Sequence, residues 1–536
     1  MKRSAIRILA LLLCLCVLLP HFLKLDVQAA IFYRDPPDRI ENDPDDPNAA
    51  QNVTDIKAVT DHAGFVTLNY LFNGLEFDKG KSDNEAYLTL KHEDGIGYVY
   101  LIFNNVYGTY TITNNDTDET ITLGEHLFLH DLIDTTALFG SAPNSVTVRF
   151  TSGPAPLSEL MVFTPGYLPD YVQVWQPPKP DETDLILFST HGDDDQLFFA
   201  GLLPYYSALD YEVLVVYMAD HGARQSYRLH EMLNGLWSCG VRTYPVFGKF
   251  NDFFEKDIET AYRVFSWENV TRDDIIGYVV EQLRKYKPIV AVGHDFGGEY
   301  SHAQHMVYAD CLAAAVEISM DSCAYPESAE AYGTWNVPKT YIHLYETNPI
   351  VMDWDTPMEE LNGYTPFQMT QLFGYPQHVS QRESWVSTWI NGNHFSISKA
   401  SQITEYSPCE YGLYRTVVGE DILKNDMFEN VHTHAEQARL EEEARLAEQA
   451  RLEEEARLES ERLAEEERKA EEARQAEEAR KAEEAERAQK AQQDERDRLA
   501  TLAAAKQQQT RTVVIATTLL LVAALIAIVI FLRKRH

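Results

Sequence analysis

The chain has 536 residues, enough for two or three domains, and aromatic residues make up 11% of it, so it can bury sizeable cores. Acidic residues outnumber basic residues 83 to 46, which gives a net charge of −37 at pH 7. A charge of that sign and size argues against nucleic acid as a partner.

The N-terminus has the composition of a secretion signal. Residues 1–30 begin with Met-Lys-Arg, continue with an apolar run and end in Val27-Gln-Ala-Ala30. This pattern predicts a cleaved signal peptide, with an uncleaved anchor as the alternative. Residues 31–52 are rich in Asp, Pro and Asn, and we predict a linker there.

Residues 53–178 have the pattern of an all-β domain. Short runs rich in apolar and β-branched residues, such as 65–70, 97–103 and 145–150, are separated by clusters of Asn, Asp and Gly. Strands of this kind predict a jelly-roll-like β-sandwich. The last part, 157–175, resembles the closing strands of galactose-binding-like modules, which implies a carbohydrate-binding module. A packing or spacer domain is the alternative.

After a proline-rich linker at 177–180, residues 182–430 alternate between strand and helix patterns. Such alternation predicts a Rossmann-like α/β domain, with helices covering a parallel sheet. The predicted strands are 185–190, 213–219, 288–293 and 340–346, and the predicted helices are 226–238, 272–286, 303–317 and one that begins near 195.

Two polar clusters follow strands of this predicted sheet. The first contains His191 and Asp194, and the second ends at His305. Ligands bind at the carboxyl ends of strands in such sheets, and a catalytic zinc ion usually takes three protein ligands. We therefore predict a metal site on His191, Asp194 and His305. Taken singly, the three consecutive aspartates at 193–195 have a solvated turn or a weak calcium site as the alternative interpretation. For His302 and His305 the alternative is a feature of a helix surface.

Two further side chains are placed to move protons. Asp193 is next to the predicted ligand Asp194 and can accept a proton from water without binding the metal. His302 precedes His305 by three residues and can donate a proton to a leaving amine.

The same residues resemble the PIG-L/LmbE-like deacetylases, zinc-dependent enzymes that remove N-acetyl groups from glucosamine-containing substrates. The family's His-Pro-Asp-Asp motif corresponds to His191-Gly-Asp-Asp194, and its His-x-x-His motif to His302-Ala-Gln-His305. An Arg-x-x-Glu element corresponds to 228–231, with Gly-Val at 240–241, and a His-x-Ser-Gln element to 378–381. The resemblance covers roughly residues 182–430.

The resemblance implies roles for single residues. It implies zinc on the three predicted ligands, Asp193 as general base and His302 as general acid or electrostatic partner. It further implies that Tyr300 contacts the substrate carbonyl and that Arg228 contacts the substrate. The chain departs from the family at Gly192, where the motif has proline, and at Gln304, where some members have Asp.

Residues 435–510 are almost entirely good helix formers and contain neither Gly nor Pro. Leucines recur every six residues from Leu440 to Leu458, a step that drifts around a helix and holds no single seam. With Glu–Arg and Glu–Lys pairs at i,i+4, this pattern predicts a long single-helix stalk. An oligomeric coiled coil is the alternative.

Residues 512–532 carry no charge and are flanked by basic residues, including those of the tail 533–536. This length and flanking charge predict a transmembrane helix with a cytoplasmic tail and an extracellular ectodomain, hence a single-pass protein of the cell membrane. Four cysteines lie outside the signal segment, and one or two disulfides are an open alternative. They are Cys239, Cys311, Cys323 and Cys409.

The sequence as a whole predicts a zinc-dependent hydrolase that removes N-acetyl groups from N-acetylglucosamine-containing glycans outside the cell. One alternative is an amidase acting on another acyl amine. A catalytically inactive, membrane-anchored glycan-binding protein is the other.

Overall fold

The computed structural model describes residues 33–124, 128–222 and 225–500, without the side chains of 488, 489 and 491–500. The chain divides into two compact units, one up to Arg439 and one from Leu440 onward. The predicted organisation, several domains built from sheets and helices, is confirmed.

The N-terminal region is built from two antiparallel sheets around one apolar core. Its elements are β1 (Val59–Phe65), β2 (Ser82–Lys91), β3 (Tyr98–Phe103), β4 (Tyr110–Asn114), β5 (Glu119–Leu123), β6 (His130–Asp134), α1 (Thr135–Phe139), β7 (Ser145–Phe150) and β8 (Leu157–Phe163). The sheets have the orders β1-β2-β7-β4-β5 and β6-β3-β8. Leu88 and Val148 of one sheet lie in the same buried cluster as Leu101 and Leu160 of the other, which is the packing of a β-sandwich. A galactose-binding-like module stays a prediction.

The described part of the predicted linker, from residue 33, has almost no regular structure but packs against this sandwich. Ala49 and Ala50 are buried, and the Ala50 N–H donates to the Tyr167 carbonyl at 2.9 Å.

The second region contains a seven-stranded sheet with helices on both faces. Its strands are β9 (Leu185–Ser189), β10 (Val213–Asp220), β11 (Val246–Asn251), β12 (Val290–Gly293), β13 (Lys339–His343), β14 (Pro349–Val351) and β15 (Glu410–Thr416). Its helices are α2 (Asp194–Leu197), α3 (Leu202–Ala208), α4 (Tyr227–Ser238), α5 (Ile258–Trp267), α6 (Arg272–Tyr286), α7 (Ala303–Ile318), α8 (Pro326–Tyr332), α9 (Pro366–Met369), α10 (Val379–Arg382) and α11 (Ser387–Asn391).

The strand order is β11-β10-β9-β12-β13-β15-β14, parallel from β11 to β13 and antiparallel for the last two strands. The chain leaves the first strand, β9, toward β10 on one side and later returns to β12 on the other. This reversal is the topological switch point, where open α/β sheets form a crevice. Strand β9 is buried on both faces, with Leu185 and Leu187 in one core and Ile186 and Phe188 in the other.

The sequence missed two parts of this sheet. Strand β11 contains Gly248 and Lys249 and is only partly buried, so it lacks the continuous apolar run that identified its neighbours. Strands β14 and β15 add an antiparallel edge in a part of the chain where no strand was predicted.

All four cysteines outside the N-terminal segment are free thiols, so the disulfides considered from the sequence do not form. Burial raises the pKa of the Cys239, Cys311 and Cys409 thiols to about 12, which keeps them protonated.

Helix α12 (His434–Ala500) corresponds to the predicted stalk. Its described leucines are about half exposed, and charged pairs cover its surface, including Lys481 Nζ–Glu477 Oε1 at 2.8 Å. Arg445 pairs with Glu442 at i−3, at 2.6 Å. An oligomer formed through the stalk stays a prediction.

The predicted signal peptide (1–30) and the predicted membrane helix (512–532) lie outside the described residues. Within the described ranges, no helix combines the length and the apolar character that a membrane span requires.

Candidate metal centre

The carboxyl ends of β9 and β12 lie side by side and deliver the two polar clusters to one place. His191 and Asp194 follow β9, and Asp194 is the first residue of α2. His294 follows β12, and His305 lies in the first turn of α7. The two clusters therefore meet at the switch point of the sheet.

Three ligand atoms of the predicted set converge. Asp194 Oδ2 lies 2.9 Å from His191 Nδ1 and 3.1 Å from His305 Nε2, and the two nitrogens are 3.3 Å apart. Tetrahedral coordination with bonds of about 2.0–2.1 Å separates ligand atoms by about 3.3 Å. These three residues thus form a group able to hold a metal ion. A ring nitrogen of His294 lies within 4.8 Å of ligand atoms of Asp194 and His305. A ring nitrogen of His302 lies within 4.8 Å of ligand atoms of His191 and His305.

The protonation of this group fits a cation site. Burial opposes ionisation of Asp194, but His305 and His191 beside it hold its pKa well below the usual range. Burial also disfavours a charged His191, yet Asp194 and Asp252 raise its pKa to about 10. A metal ion must therefore displace a proton from His191 to bind.

Glu299 supports the site from behind and was missed as a functional residue in the sequence. Its carboxylate is fully buried and accepts hydrogen bonds from Nδ1 of three imidazoles, at 2.6 Å from His305, 2.6 Å from His343 and 2.9 Å from His294. Such a bond orients His305 so that Nε2 faces the ligand group. The available signal was the position of this carboxylate, directly after Gly297-Gly298 and three residues before His302 of the His-x-x-His motif.

Asp193 lies beside the ligand group without joining it. Burial raises its pKa, and the Arg228 guanidinium opposes that rise. Arg228 Nη2 donates to Asp193 Oδ1 at 2.6 Å. The structure thus gives Arg228 a definite partner, and Arg228 also lines a cavity at this site. Its contact with the substrate stays a prediction.

A cavity of about 170 Å³ opens onto these side chains. It is lined by His191, Asp193, Asp194, Leu197, Phe198, Arg228, Asp252, Tyr300, His302, Gln381, Val386 and Trp389. A larger cavity of about 240 Å³ begins near Val213, at the amino end of β10 and away from these groups.

Tyr300 forms part of an aromatic wall of this cavity. Its ring centroid lies 4.9 Å from Trp389 and 5.9 Å from Phe198. Tyr300 and Ser301 both have positive φ, 46° and 58°, a conformation that costs free energy and is characteristic of functional sites. Burial, and then Asp194, raise the pKa of Tyr300 well above its usual range, so its hydroxyl remains a hydrogen-bond donor.

His302 caps α7 and lines the cavity. Its Nδ1 accepts a hydrogen bond from the Gln304 N–H at 3.2 Å, which leaves Nε2 to carry the ring proton. Burial, together with His191 and His305, lowers the pKa of His302 to about 2. It is therefore a neutral imidazole, better suited to donate a hydrogen bond than to serve as a charged acid.

The sequence did not single out Asp252 and His221, which lie at the ends of β11 and β10. Asp252 Oδ1 lies 3.4 Å from His191 Nε2, and Asp252 Oδ2 lies 3.6 Å from His221 Nδ1. Both residues directly follow strands that run parallel to β9, so they lie at the same carboxyl edge of the sheet as His191. That position was the available signal, but β11 itself was not recognised.

Gly192, the departure from the family motif, has a specific environment. Its N–H donates to His221 Nε2 at 3.2 Å, a bond that proline cannot make. A Cβ at this position would lie 2.8 Å from the Met232 side chain. The loop is therefore held by a hydrogen bond where the family motif has a proline ring.

Gln304, the second departure, bonds to His302 through its backbone N–H, and its side chain has other partners. Its amide donates to the Asn251 carbonyl at 2.8 Å and accepts from the Phe253 N–H at 3.0 Å. It thereby joins α7 to the end of β11.

The two remaining motif elements are joined to each other. Glu231 accepts hydrogen bonds from the Ser380 N–H and hydroxyl, both at 2.7 Å. His378 is fully buried behind Gly235 and is not among the residues that line the cavity, whereas Gln381 is.

Comparison with known proteins gives partial matches. No family model matches the chain. It is 27% identical over 178 residues, 29% of this chain, to 1D-myo-inositol 2-acetamido-2-deoxy-alpha-D-glucopyranoside deacetylase of Rhodococcus erythropolis, of which it covers 59%. It is 30% identical over 120 residues, 22% of this chain, to the deacetylase 2 of the same name from Saccharopolyspora erythraea, of which it covers 42%.

The matches therefore span about half the length of these curated relatives. Among solved structures, N,N'-diacetylchitobiose deacetylase from Pyrococcus horikoshii aligns with a TM-score of 0.31 and 14% identity, over 44% of this chain and 85% of that chain. A similarity at that level supports no argument about function.

Proposed function

We propose that the chain is a zinc-dependent hydrolase that removes N-acetyl groups from N-acetylglucosamine-containing glycans or glycoconjugates. The observation that carries this proposal is the convergence of His191 Nδ1, Asp194 Oδ2 and His305 Nε2 beside a cavity that also exposes Asp193. The deacetylase names of the curated relatives support the same reaction class.

The ligand set, one carboxylate and two imidazoles, is one that zinc accepts. A zinc ion bound there would polarise an acetyl carbonyl and lower the pKa of a water molecule. Asp193 is placed to accept the proton of that water, because it is buried, borders the cavity and is not needed as a ligand. Arg228 holds the Asp193 carboxylate at a fixed angle through a 2.6 Å bond.

Two hydrogen-bond donors face the reacting carbonyl in this mechanism. Tyr300 keeps its proton, and His302 carries its proton on Nε2, so both can stabilise negative charge on the carbonyl oxygen. Because His302 is neutral, Asp193 is the better source of the proton that the departing amine requires. We therefore propose the electrostatic role for His302, one of the two roles that the family resemblance implies.

The aromatic wall of the cavity supports an amino sugar as substrate, since apolar ring faces pack against flat aromatic side chains. Trp385 continues this wall at 4.7 Å from Trp389 and is 56% exposed. A glycan longer than one sugar can therefore extend from the cavity over Trp385.

We further propose that the enzyme works outside the cell, held at the cell membrane by residues 512–532 on its helical stalk. The sequence of residues 1–30 and the basic tail after residue 532 support this location. The β-sandwich would bind the glycan while the α/β region acts on it.

Acetate release from N-acetylglucosamine oligomers tests the proposal. The full chain with added zinc should release acetate, and Asp193→Asn should lower kcat by about 10²–10⁴-fold, the usual contribution of a general base, with its zinc content unchanged. His305→Gln should lose the zinc ion of this site together with the activity. Asp83→Asn, at an exposed position of β2, is the matched control and should behave as the parent chain.

The alternatives make different predictions in the same assay. Acetate release only from other acyl amines, such as N-acetyl-lysine, would indicate the amidase. Zinc binding without release from any amide would contradict the enzyme and favour an inactive glycan-binding protein.

A further inference from the structure

A second cluster of metal-ligating side chains lies away from the cavity, where the β-sandwich meets α4. His130 begins β6, His230 lies on α4, and Glu76 belongs to the segment between β1 and β2. One ligand atom from each of the three lies within 4.8 Å of the others. The cluster therefore combines residues from both regions of the first compact unit.

The two imidazoles are spaced as metal ligands are. His130 Nε2 lies 3.1 Å from His230 Nδ1, close to the 3.3 Å between the histidine ligand atoms of the first site. Both rings are at least 98% buried. Burial lowers the pKa of His130 to about 3 and also lowers that of His230, so both rings are neutral, the form that ligates metals.

The surroundings of the cluster supply the supporting contacts that a metal site needs. The Tyr100 hydroxyl oxygen lies 2.6 Å from His130 Nδ1 and accepts from the Gln173 N–H at 3.2 Å, so it fixes the His130 ring with Nε2 toward His230. Glu76 accepts bonds from Asn234 Nδ2 at 2.8 Å and from Arg39 Nη2 at 2.6 Å. These bonds orient the carboxylate beside the two rings.

We propose that Glu76, His130 and His230 bind a second zinc ion, which joins the β-sandwich to α4. Two imidazoles and one carboxylate are a ligand set that zinc uses, with the fourth position left for water. Helix α4 also carries Arg228, the partner of Asp193, two residues before His230. A metal at this junction would therefore fix the helix that positions Arg228, and its presence does not depend on the proposed function.

Zinc content of the full chain, measured by mass spectrometry after dialysis against metal-free buffer, tests this inference. The parent chain should hold about two zinc ions, and His130→Gln, His230→Gln and His305→Gln about one each. The double variant His130→Gln/His305→Gln should hold none. His62→Gln, at an exposed position of β1, is the matched control and should retain both ions.

Thermal unfolding in the His305→Gln background gives a second readout. A chelator should lower its Tm, because only the second site remains, and should leave the Tm of the double variant unchanged. Glu76→Gln, which keeps an acceptor for Asn234, provides a milder variant and should weaken zinc binding at this site by at least tenfold.

One zinc ion in the parent chain, lost in His305→Gln and retained in His130→Gln, would overturn the inference. A chelator effect that is equal in the single and double variants would overturn it as well. The cluster would then be a hydrogen-bonded contact without metal. Neither result would affect the first site, whose ion is followed separately by His305→Gln.

Discussion

Glu299 is fully buried, and its two carboxylate oxygens accept hydrogen bonds from His294, His305 and His343. Burial disfavours its charge, but these imidazoles, His294 first, hold its pKa well below the usual range. A single negative charge thus orients one predicted metal ligand and two further rings. The sequence contained this residue inside a recognised motif, but its burial and its three partners arise only when β12, α7 and β13 pack together.

Glu299→Gln should weaken metal binding without changing any ligand. The amide presents an NH₂ group where one oxygen now accepts an imidazole N–H, so at least one ring must turn. We expect a loss of about 10–100-fold in zinc affinity, the range found when such supporting partners are removed. Competition with a chromogenic chelator measures it, with Glu259→Gln on the exposed side of α5 as control. An unchanged affinity would contradict the role assigned to Glu299.

His378 predicts how stability changes with pH. Burial lowers its pKa to about 3, against about 6.5 in an unfolded chain. Because the folded-state pKa is depressed, the stabilisation is complete above about pH 6.5 and is lost as the pH falls toward 3, as the unfolded chain takes up the proton. Between pH 6 and pH 5 this one group lowers the free energy of unfolding by about 1 kcal/mol.

His378→Leu should remove that contribution, so its free energy of unfolding should fall by about 1 kcal/mol less between pH 6 and pH 5. Urea titrations followed by tryptophan fluorescence at the two pH values measure the difference. His62→Gln changes an exposed histidine and should leave the pH dependence as it is. Equal pH slopes in the parent chain and in His378→Leu would refute the assignment.

At the scale of elements, the loop from β9 to α2 was predicted with its ligands, but the means by which it is held was not. The loop packs under Met232 of α4, and its Gly192 N–H bonds to His221 at the end of β10. Both contacts join segments far apart in sequence. A motif read along one strand cannot show which neighbouring helix closes over it.

Gly192→Ala should therefore destabilise the loop, since the new Cβ would lie 2.8 Å from the buried Met232 side chain. Overpacking of this kind costs about 1–3 kcal/mol, and the displaced loop should lower the proposed deacetylase activity as well. Gly192→Ala/Met232→Ala gives the methyl group room and should recover part of the lost activity, although Met232→Ala alone is destabilising. Ala63→Ser, at an exposed position of β1, is the control variant. No recovery in the double variant would argue against steric contact as the cause.

At the scale of the whole molecule, the chain combines a packed unit up to Arg439 with a solvent-exposed helix. All seven tryptophans precede residue 390, so tryptophan fluorescence reports only the packed unit. The helix has no buried apolar face among its described side chains and depends on propensity and exposed ion pairs, which are individually weak.

Thermal unfolding of the full chain should therefore not be a single transition. Far-ultraviolet circular dichroism at 222 nm should decline over a broad range of temperature, whereas tryptophan fluorescence should change in one narrower step. Salt at about 1 M should reduce the helical signal by screening the charged pairs. A chain that ends at residue 439 should lose the broad component. Coincident curves in the full chain would indicate that the helix is stabilised by packing, as in an oligomeric coiled coil.

Sequence patterns alone predict the features that depend on near neighbours. These include the α/β alternation, the helix α6 at 272–286, the long helix, and the two polar clusters after β9 and β12 that carry His191, Asp194 and His305. Strand period, helix propensity and motif spacing act within a few residues, so they can be read along the chain.

The tertiary packing settles which groups from different segments meet. It placed Arg228 on Asp193, gathered three imidazoles on Glu299, brought Asp252 to the site on an unrecognised strand, and set His130 against His230. It also kept the four cysteines apart as free thiols. Pairing of buried polar groups follows from how sheets and helices pack, and separations such as the 35 residues between Asp193 and Arg228 or the 100 residues between His130 and His230 leave no local pattern to read.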